Sequence, residues 1–440
     1  MNILVKNCSI ASGLLAVGGD KSITHRALIL GTLAEGRSEL INPSDAEDCQ
    51  ATIRCLKMLG AEIIKKDSRI IIEGKGLYSL KEPEDVLDCR NSGTTIRLLT
   101  GLLAGQKFYS VLTGDDSLRR RPMARIIDPL RLMGANIESR KGGLAPLSIK
   151  GSDLRGIEYR LPIPSAQVKS ALMLAGFYAD SPTIIEEPIS SRDHSERLFT
   201  YLGIRFSKKG NRIEIRPRPI FKGKTIYIPN DISSAAFFIV LGCLIGDKLV
   251  IQETGINPLR SGVIEILKKA GALITIGNKK IFSEEPVADI IVRKRKPRAF
   301  TIGGSLIPSV IDEIPVLAVL ATQLDGTSVI KDAQELRVKE TDRLRAIATE
   351  LQKFGARIKE EPDGLIINGP TRLRGTVCKS YHDHRIAMAL TVAGLIAEGE
   401  TVIQDAECIK ISFPDFIEKL KTICGEEYVQ IEGLNNNQRV

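Results

Sequence analysis

Six segments of this chain end in the same way, and that recurrence constrains its fold more than any single motif does. CLKMLGAEI closes at Gly60, LRLMGANI at Gly134, FTYLGIRF at Gly203, ILKKAGALI at Gly271, LQKFGARI at Gly355 and, more loosely, LKTICGEEY at Gly425. The glycines are spaced by 74, 69, 68, 84 and 70 residues. An amphipathic helix that stops at glycine and runs into a β-branched residue reads as helix, left-handed cap, strand. Each unit also holds an earlier, more apolar helix: HRALILGTLAEG, TTIRLLTGLLAG, VKSALMLAGFYA, SAAFFIVLGCLIG, EIPVLAVLATQLDG and HRIAMALTVAGLIAEG. A helix apolar on most faces is buried, whereas the second helix of each unit, charged on one side, lies nearer solvent. β-rich runs such as RIIIEG, LSIKG, RIEIRP and LIINGP fill the gaps. One unit is therefore a β-α-β-α-β-β module, and six modules predict an α/β protein of two domains with three repeats each. The inner helices would pack beneath exposed sheets, in an inside-out arrangement with a cleft between the domains.

Composition narrows the class. At 440 residues, 43% hydrophobic and 26% charged, the chain buries a real core. The uncharged stretches 235–246 and 386–397 are shorter than the roughly 18 residues of a membrane span. MNILVKNCSI carries no secretory pattern, so a cytoplasmic location is expected. The eight cysteines form no C-x-x-C pair and no zinc spacing, and are expected to be reduced. A net charge of +9 points to an acidic partner, either a nucleic acid or a small phosphorylated anion. With 20 aromatics, no tryptophan and none interleaved with the basic run 293–298, stacking on nucleic acid is disfavoured, and that run reads as a solvated loop.

The starts of the inner helices carry polar and cationic residues that their apolar bodies do not need. Lys21, Ser22, His25 and Arg26 lead into the first, Asn91, Ser92, Gly93, Thr94 and Arg97 into the second, and Ser165, Gln167 and Lys169 into the third. Helix N-termini present free N–H groups and a positive dipole end, which suit phosphate and carboxylate ligands. Serine and asparagine are also ordinary N-caps, which explains the caps but not the adjoining cations. The segments 115–123 and 336–347 concentrate further arginine and lysine, although in the second these alternate with acids as on a solvated helix face. Asp312 and Glu313, just before Pro315, read by themselves as acids capping a helix. No Walker or dinucleotide fingerprint is present. His382 and His384 flank Asp383 without a third ligand in sight, so no metal is assigned.

Taken in order, GGDKSITHRALILG (18–31), DCRNSGTTIRLLTGLLAG (88–105), RRPMARI (120–126), PSAQVKSALMLAG (164–176), SRDHSE (191–196), LRVKETDRL (336–344), DHRIAMA (383–389) and SFPDF (412–416) resemble the 3-phosphoshikimate 1-carboxyvinyltransferase family, also called 5-enolpyruvylshikimate-3-phosphate (EPSP) synthases. The forms GDKS, SAQVK and RDHSE are similar to the class II branch, which tends to tolerate glyphosate. Gly93 lacks the bulk that is one route to tolerance. The resemblance implies two domains, residues 21–233 and residues 1–20 with 234–440, hinged near Gly19 and Ser233. It implies transfer of the enolpyruvyl group of phosphoenolpyruvate to the 5-hydroxyl of shikimate 3-phosphate through a tetrahedral intermediate, without a cofactor, in a protein expected to be a monomer with no nucleic-acid or membrane partner.

By motif match, Lys21, Gly93, Arg121, Gln167, Arg343 and Arg385 would meet phosphoenolpyruvate. Lys21, Ser22, Arg26, Ser165, Ala166, Gln167, Asp312 and Lys339 would hold shikimate 3-phosphate, with Arg192 a further candidate for its phosphate. Asp312 matches the proton acceptor and Glu340 the donor, so that Asp312, Glu340 and Lys21 form the implied catalytic set. Part of the family has lysine just before SFP, where this chain has Ile411 with Lys410 preceding it. The related transferase of nucleotide sugars usually carries a reactive cysteine on a mobile loop, and the corresponding GDDSLRRRPM (114–123) has none. The terminal NNNQRV reads as a frayed end.

Overall fold

Chain segments far apart in sequence complete the repeats. The structure, a computed structural model, describes residues 1–432, so NNNQRV lies outside the described residues. These residues form two compact units. One comprises Gly19–Pro229 with Ile281–Pro286, and the other Met1–Gly18, Asn230–Lys280 and the chain from Val287 onward. The boundaries thus fall at 18/19 and 229/230, against the 20/21 and 233/234 expected from sequence, and Ser233 lies in the second unit. Each has its own apolar core, with no core residue in common.

Every repeat supplies one four-stranded sheet with one parallel edge pair and antiparallel pairing beyond it. In the second repeat, Leu87–Asp88 runs parallel to Tyr109–Thr113, and Leu144–Lys150 then pairs antiparallel with both Tyr109–Thr113 and Asn136–Arg140. The parallel pair follows from the helix that crosses between its strands, and the antiparallel pair from a hairpin. Three repeats are completed out of order. Thr225–Tyr227 provides the parallel edge beside Glu35–Ile41, Ala11–Leu15 does so beside Gly246–Gly255, and Asn2–Lys6 lies between Glu400–Gln404 and Val429–Glu432. Because each unit is closed by a remote strand, a linear β-α-β-α-β-β reading assigns these edges to the wrong repeat.

The inner helices are α1 (Lys21–Leu33), α2 (Gly93–Leu103), α3 (Ala166–Gly176), α4 (Ile232–Ile245), α5 (Ile314–Ala321) and α6 (His384–Ile396). All fourteen residues of α4 are buried, Ser233 and Ser234 included, as its apolar run from Ala235 onward requires. Each buried Phe, Ile or Leu there contributes about 1.5–3 kcal/mol of transfer free energy. Gly101 lets α2 approach α3 closely, because a Cβ there would lie 2.2 Å from the Ala171 carbonyl oxygen. The outer helices bury one face. Gly262–Lys269, for example, buries Val263, Ile264, Ile266 and Leu267 and leaves Lys269 in solvent. All six repeat glycines have positive φ. Gly203 is left-handed at φ 78 and ψ 20, while Gly425, at φ 112 and ψ 148, turns the chain into a short 3-10 segment instead.

The run Gly304–Ala321 has the length and hydropathy of a membrane span, a property the apolar stretches considered from sequence did not reach. It is assembled from two 3-10 segments and two α segments, and α5 at its end is buried in the core.

Candidate active site

In the unit holding Gly19–Pro229, the N-terminal ends of α1, α2 and α3 are tied together by their own polar side chains. Asp20 caps α1 by accepting from the Ile23 N–H at 2.8 Å, Ser92 caps α2 at 3.2 Å and Ser165 caps α3 at 3.4 Å. The ordinary capping reading therefore holds for Ser92 and Ser165, and the cations need another explanation. Lys21, the first residue of α1, places Nζ 2.7 Å from Asp48 Oδ2, both side chains being largely buried. Arg26, one turn further, donates from Nε to Ser195 Oγ at 2.9 Å and from Nη2 to Ser170 Oγ at 2.8 Å, and also reaches the backbone carbonyls of Ser22 and Ala166. Burial pulls this guanidinium down to about 10, with Glu196 and Asp20 opposing. It stays a cation at neutral pH. Arg192, partly exposed, adds a like charge that bears on Arg26.

Two more arginines meet at Gly93. Arg97 Nη1 donates to Gln167 Oε1 at 2.8 Å, and Gln167 Nε2 in turn donates to Thr94 Oγ1 at 2.9 Å. Arg121 is held by Asn91 Oδ1 at 2.6 Å, the Asn91 carbonyl at 3.1 Å and Ser117 Oγ at 3.0 Å. A Cβ on Gly93 would come within 2.6 Å of Arg97 Nη1 and 3.4 Å of Arg121 Nη1, so glycine leaves these guanidinium groups their place. This unit therefore gathers Lys21, Arg26, Arg97 and Arg121 around helix starts, where dipoles and charges reinforce each other toward an anion.

Two residues read from sequence as part of these helix starts have other tasks. Lys169 is fully buried, with Glu187 at 2.9 Å and Glu196 at 2.8 Å, so its charge is already neutralised inside the unit. His25 is buried with Nδ1 2.7 Å from Thr52 Oγ1. Burial, with Lys21 and Arg26 nearby, pushes it well below the usual histidine range, and it is neutral.

The other unit carries a different arrangement, in which acids and cations alternate. Arg343 opens the helix Arg343–Lys353, which Asp342 caps through the Arg345 N–H. Its side chain is buried, with Nε donating to Asp383 Oδ2 at 2.8 Å, Nη2 to Glu340 Oε2 at 2.6 Å and Nη1 lying 3.5 Å from Asp312 Oδ1. Burial alone would lower this guanidinium, yet Asp383, Glu340 and Asp312 together hold it above the ordinary arginine value. Lys339 Nζ is 3.8 Å from Asp312 Oδ1. Asp383 is also the N-cap of α6, accepting from the Arg385 N–H at 2.8 Å, so one buried carboxylate fixes Arg343 and the start of the helix that carries Arg385. Arg385 Nη1 donates to the Ser233 carbonyl at 3.2 Å, and its guanidinium lies 5.9 Å from the Phe237 ring centroid.

Within this unit the structure brings together Asp312, Lys339, Glu340 and Arg343, and the salt-bridged helix face read from 336–347 is in part this cluster. Asp312 lies in a 3-10 turn, with its carboxylate facing Arg343 and Lys339. Ile411 packs against the apolar core and Lys410 is exposed on a 3-10 turn. Sequence saw no third ligand beside His382. The fold sets Asp405 and Glu407 next to it, and Glu407 is engaged by the Met1 ammonium at 2.9 Å. The residues that sequence reasoning missed are Asp48, Ser117 and Arg260, all partners of the predicted cations or acids, while Glu313 was read only as a cap.

Residues 5–420 match the sequence profile of the family described as EPSP synthase (3-phosphoshikimate 1-carboxyvinyltransferase). The chain is 51% identical over 417 residues to the 3-phosphoshikimate 1-carboxyvinyltransferase of Thermoanaerobacter sp. (strain X514), covering 94% of this chain and 98% of that one. It is 49% identical over 428 residues to that of Thermodesulfovibrio yellowstonii, covering 96% and 100%. Among solved structures, an EPSP synthase from Acinetobacter baumannii superposes with a TM-score of 0.86 at 40% identity, over 98% of this chain and 99% of the other.

Proposed function

The chain belongs to the EPSP synthase family and transfers the enolpyruvyl group of phosphoenolpyruvate to shikimate 3-phosphate in the shikimate pathway, and we propose that the two residue clusters divide this work between them. The observation that carries the proposal is their contrast in charge. Lys21, Arg26, Arg97 and Arg121 gather at helix starts with Asp48 as the acid against Lys21, whereas Arg343 is set among Asp312, Glu340 and Asp383. The first suits binding of polyanionic reactants, and the second adds to further cations the acids that proton transfer needs.

In this reading Ser22, Arg26, Ser165, Ala166, Gln167, Asp312 and Lys339 hold shikimate 3-phosphate, and Arg192 adds charge at its phosphate. Gly93, Arg121, Gln167, Arg343 and Arg385 hold phosphoenolpyruvate, and Lys21 serves both. Glu340 delivers a proton to the methylene carbon as the 5-hydroxyl oxygen bonds to the neighbouring carbon, and Asp312 takes the hydroxyl proton. The carbon–oxygen bond to phosphate then breaks, a methyl proton is lost and the double bond reforms. No cofactor enters this balance. Arg343 Nη2 donates to Glu340 Oε2 at 2.6 Å and orients this carboxyl group. A substrate carboxylate that competes for Arg343 would free Glu340 to carry the proton it must give.

We further propose a cytoplasmic monomer whose motifs ally it with the glyphosate-tolerant class II branch, while the small Gly93 leaves room for the inhibitor. Size-exclusion chromatography with light scattering, and glyphosate inhibition measured against phosphoenolpyruvate, test these points. The activity itself is tested by phosphate release from purified protein with each substrate omitted in turn. Release that needs both substrates supports the reading. Release only when a UDP-amino sugar replaces shikimate 3-phosphate would overturn the acceptor.

A further inference from the structure

Glu313 is fully buried, and neither the reaction nor helix capping explains it: it sits at the N-cap position of α5 and makes no side-chain capping hydrogen bond. A carboxylate taken out of water needs partners of opposite charge and good hydrogen bonds. Glu313 has both. Arg260 Nη1 donates to its Oε1 at 3.0 Å and its Oε2 at 3.1 Å, and the Ser233 hydroxyl donates to Oε1. Arg385 Nη1 lies 3.9 Å from the same Oε1. Two further links leave this cluster. The Ser233 carbonyl accepts from Arg385 Nη1 at 3.2 Å, so the serine that Glu313 holds by its hydroxyl holds Arg385 by its backbone. Arg260 Nη2 lies 4.0 Å from Asp312 Oδ2, so the guanidinium that Glu313 neutralises also borders the proposed proton acceptor.

We propose that Glu313 is a positioning residue: through Ser233 and its own charge it fixes the Arg385 guanidinium, and it keeps Arg260 from drawing Asp312 away. The inference rests on the reading that Arg385 binds phosphoenolpyruvate. The physical argument is one of charge placement. Without the carboxylate, Arg260 and Arg385 are two buried cations that have lost a common anion, and Arg260 gains by moving toward Asp312, whose Oδ2 lies 4.0 Å away. A neutral amide at the same position keeps the shape and one hydrogen bond but not the anchoring charge.

The test compares Glu313→Gln, Ser233→Ala and Arg385→Ala in the full chain, with KM for each substrate and kcat measured separately and folding followed by thermal melting. Glu313→Gln should raise KM for phosphoenolpyruvate at least about 10-fold, raise KM for shikimate 3-phosphate by a smaller factor as Arg260 draws on Asp312, and lower kcat. Ser233→Ala should move the first in the same direction by a smaller factor. Glu313→Asp, which restores the charge on a shorter stem, should recover part of the loss, and it stands in for the amide if Glu313→Gln does not fold. A purely structural Glu313 predicts a lower melting temperature and less active protein with both KM values unchanged. That result, alongside an Arg385→Ala variant that does lose phosphoenolpyruvate affinity, overturns the inference alone. If Arg385→Ala leaves that KM unchanged, the underlying assignment of Arg385 fails first.

Discussion

Replacing Lys21 by methionine separates two tasks of one ammonium group. Its Nζ lies 2.7 Å from Asp48 Oδ2, with the side chains 16% and 9% exposed. At that distance two unit charges attract by about 6 kcal/mol in an effective dielectric of 20. Residual solvation and the desolvation of both ions reduce this to about 2 kcal/mol lost when the ammonium is removed and Asp48 is stranded. In a unit of about 210 residues each kcal/mol moves the melting midpoint by about 2–4 °C, so Lys21→Met should melt about 4–8 °C lower. Adding Asp48→Asn removes the stranded charge and should recover at least half of that drop. Activity should not follow. If Lys21 stabilises charge on the reacting anions, both variants lose about 10³-fold or more in phosphate release. Calorimetry and the release assay on the same preparations decide the matter. Near-normal turnover in either variant refutes the catalytic role, and turnover regained in the double variant makes Lys21 a structural residue.

Asp312→Asn and Glu340→Gln should bind both substrates, seen by calorimetric titration, yet turn over about 10²-fold or more slowly, whereas loss of folding in both would favour a structural role. Lys169→Met removes the buried cation that Glu187 and Glu196 share, leaving Glu196 with Lys208 at 3.4 Å and Glu187 with Ser191, and should cost about 3 kcal/mol of unfolding free energy, with KM values of the folded fraction unchanged. Altered substrate affinity there would make Lys169 a ligand after all. The folded-state His25 titrates well below its unfolded value, so below about pH 6.5 the unfolded chain binds a proton that the folded chain refuses. Stability should therefore fall with acidity through this histidine by up to about 1.4 kcal/mol per pH unit, and a His25→Gln variant melted from pH 7 to 5 should lose that share of the slope.

The six-fold repeat was legible because a buried helix and an amphipathic one leave different hydrophobic patterns, and glycine marks where the second stops. The swapped edge strands were not legible. Thr225–Tyr227 and Asn2–Lys6 look like any other β-rich run, and only the closed sheet assigns them to distant repeats. At the site, cations next to helix starts stood out because capping does not need them. Their partners did not stand out, since Asp48 lies in the first turn of a helix and Arg260 in a loop, where acids and arginines respectively are ordinary. Glu313 was visible but misread: an acid ahead of a proline-led helix has the form of a cap, and only its burial against Arg260 and Ser233 separates the two readings.

The most direct test of addition followed by elimination on these residues is turnover in D₂O, with the methylene group followed by NMR. The proposed chemistry makes a methyl group from the phosphoenolpyruvate methylene and then removes one of its protons. Deuterium should therefore enter the enolpyruvyl group of the product, only when shikimate 3-phosphate is present, and about 10²-fold or more slowly in Glu340→Gln. Product formed at the normal rate with no deuterium in that group would contradict the account.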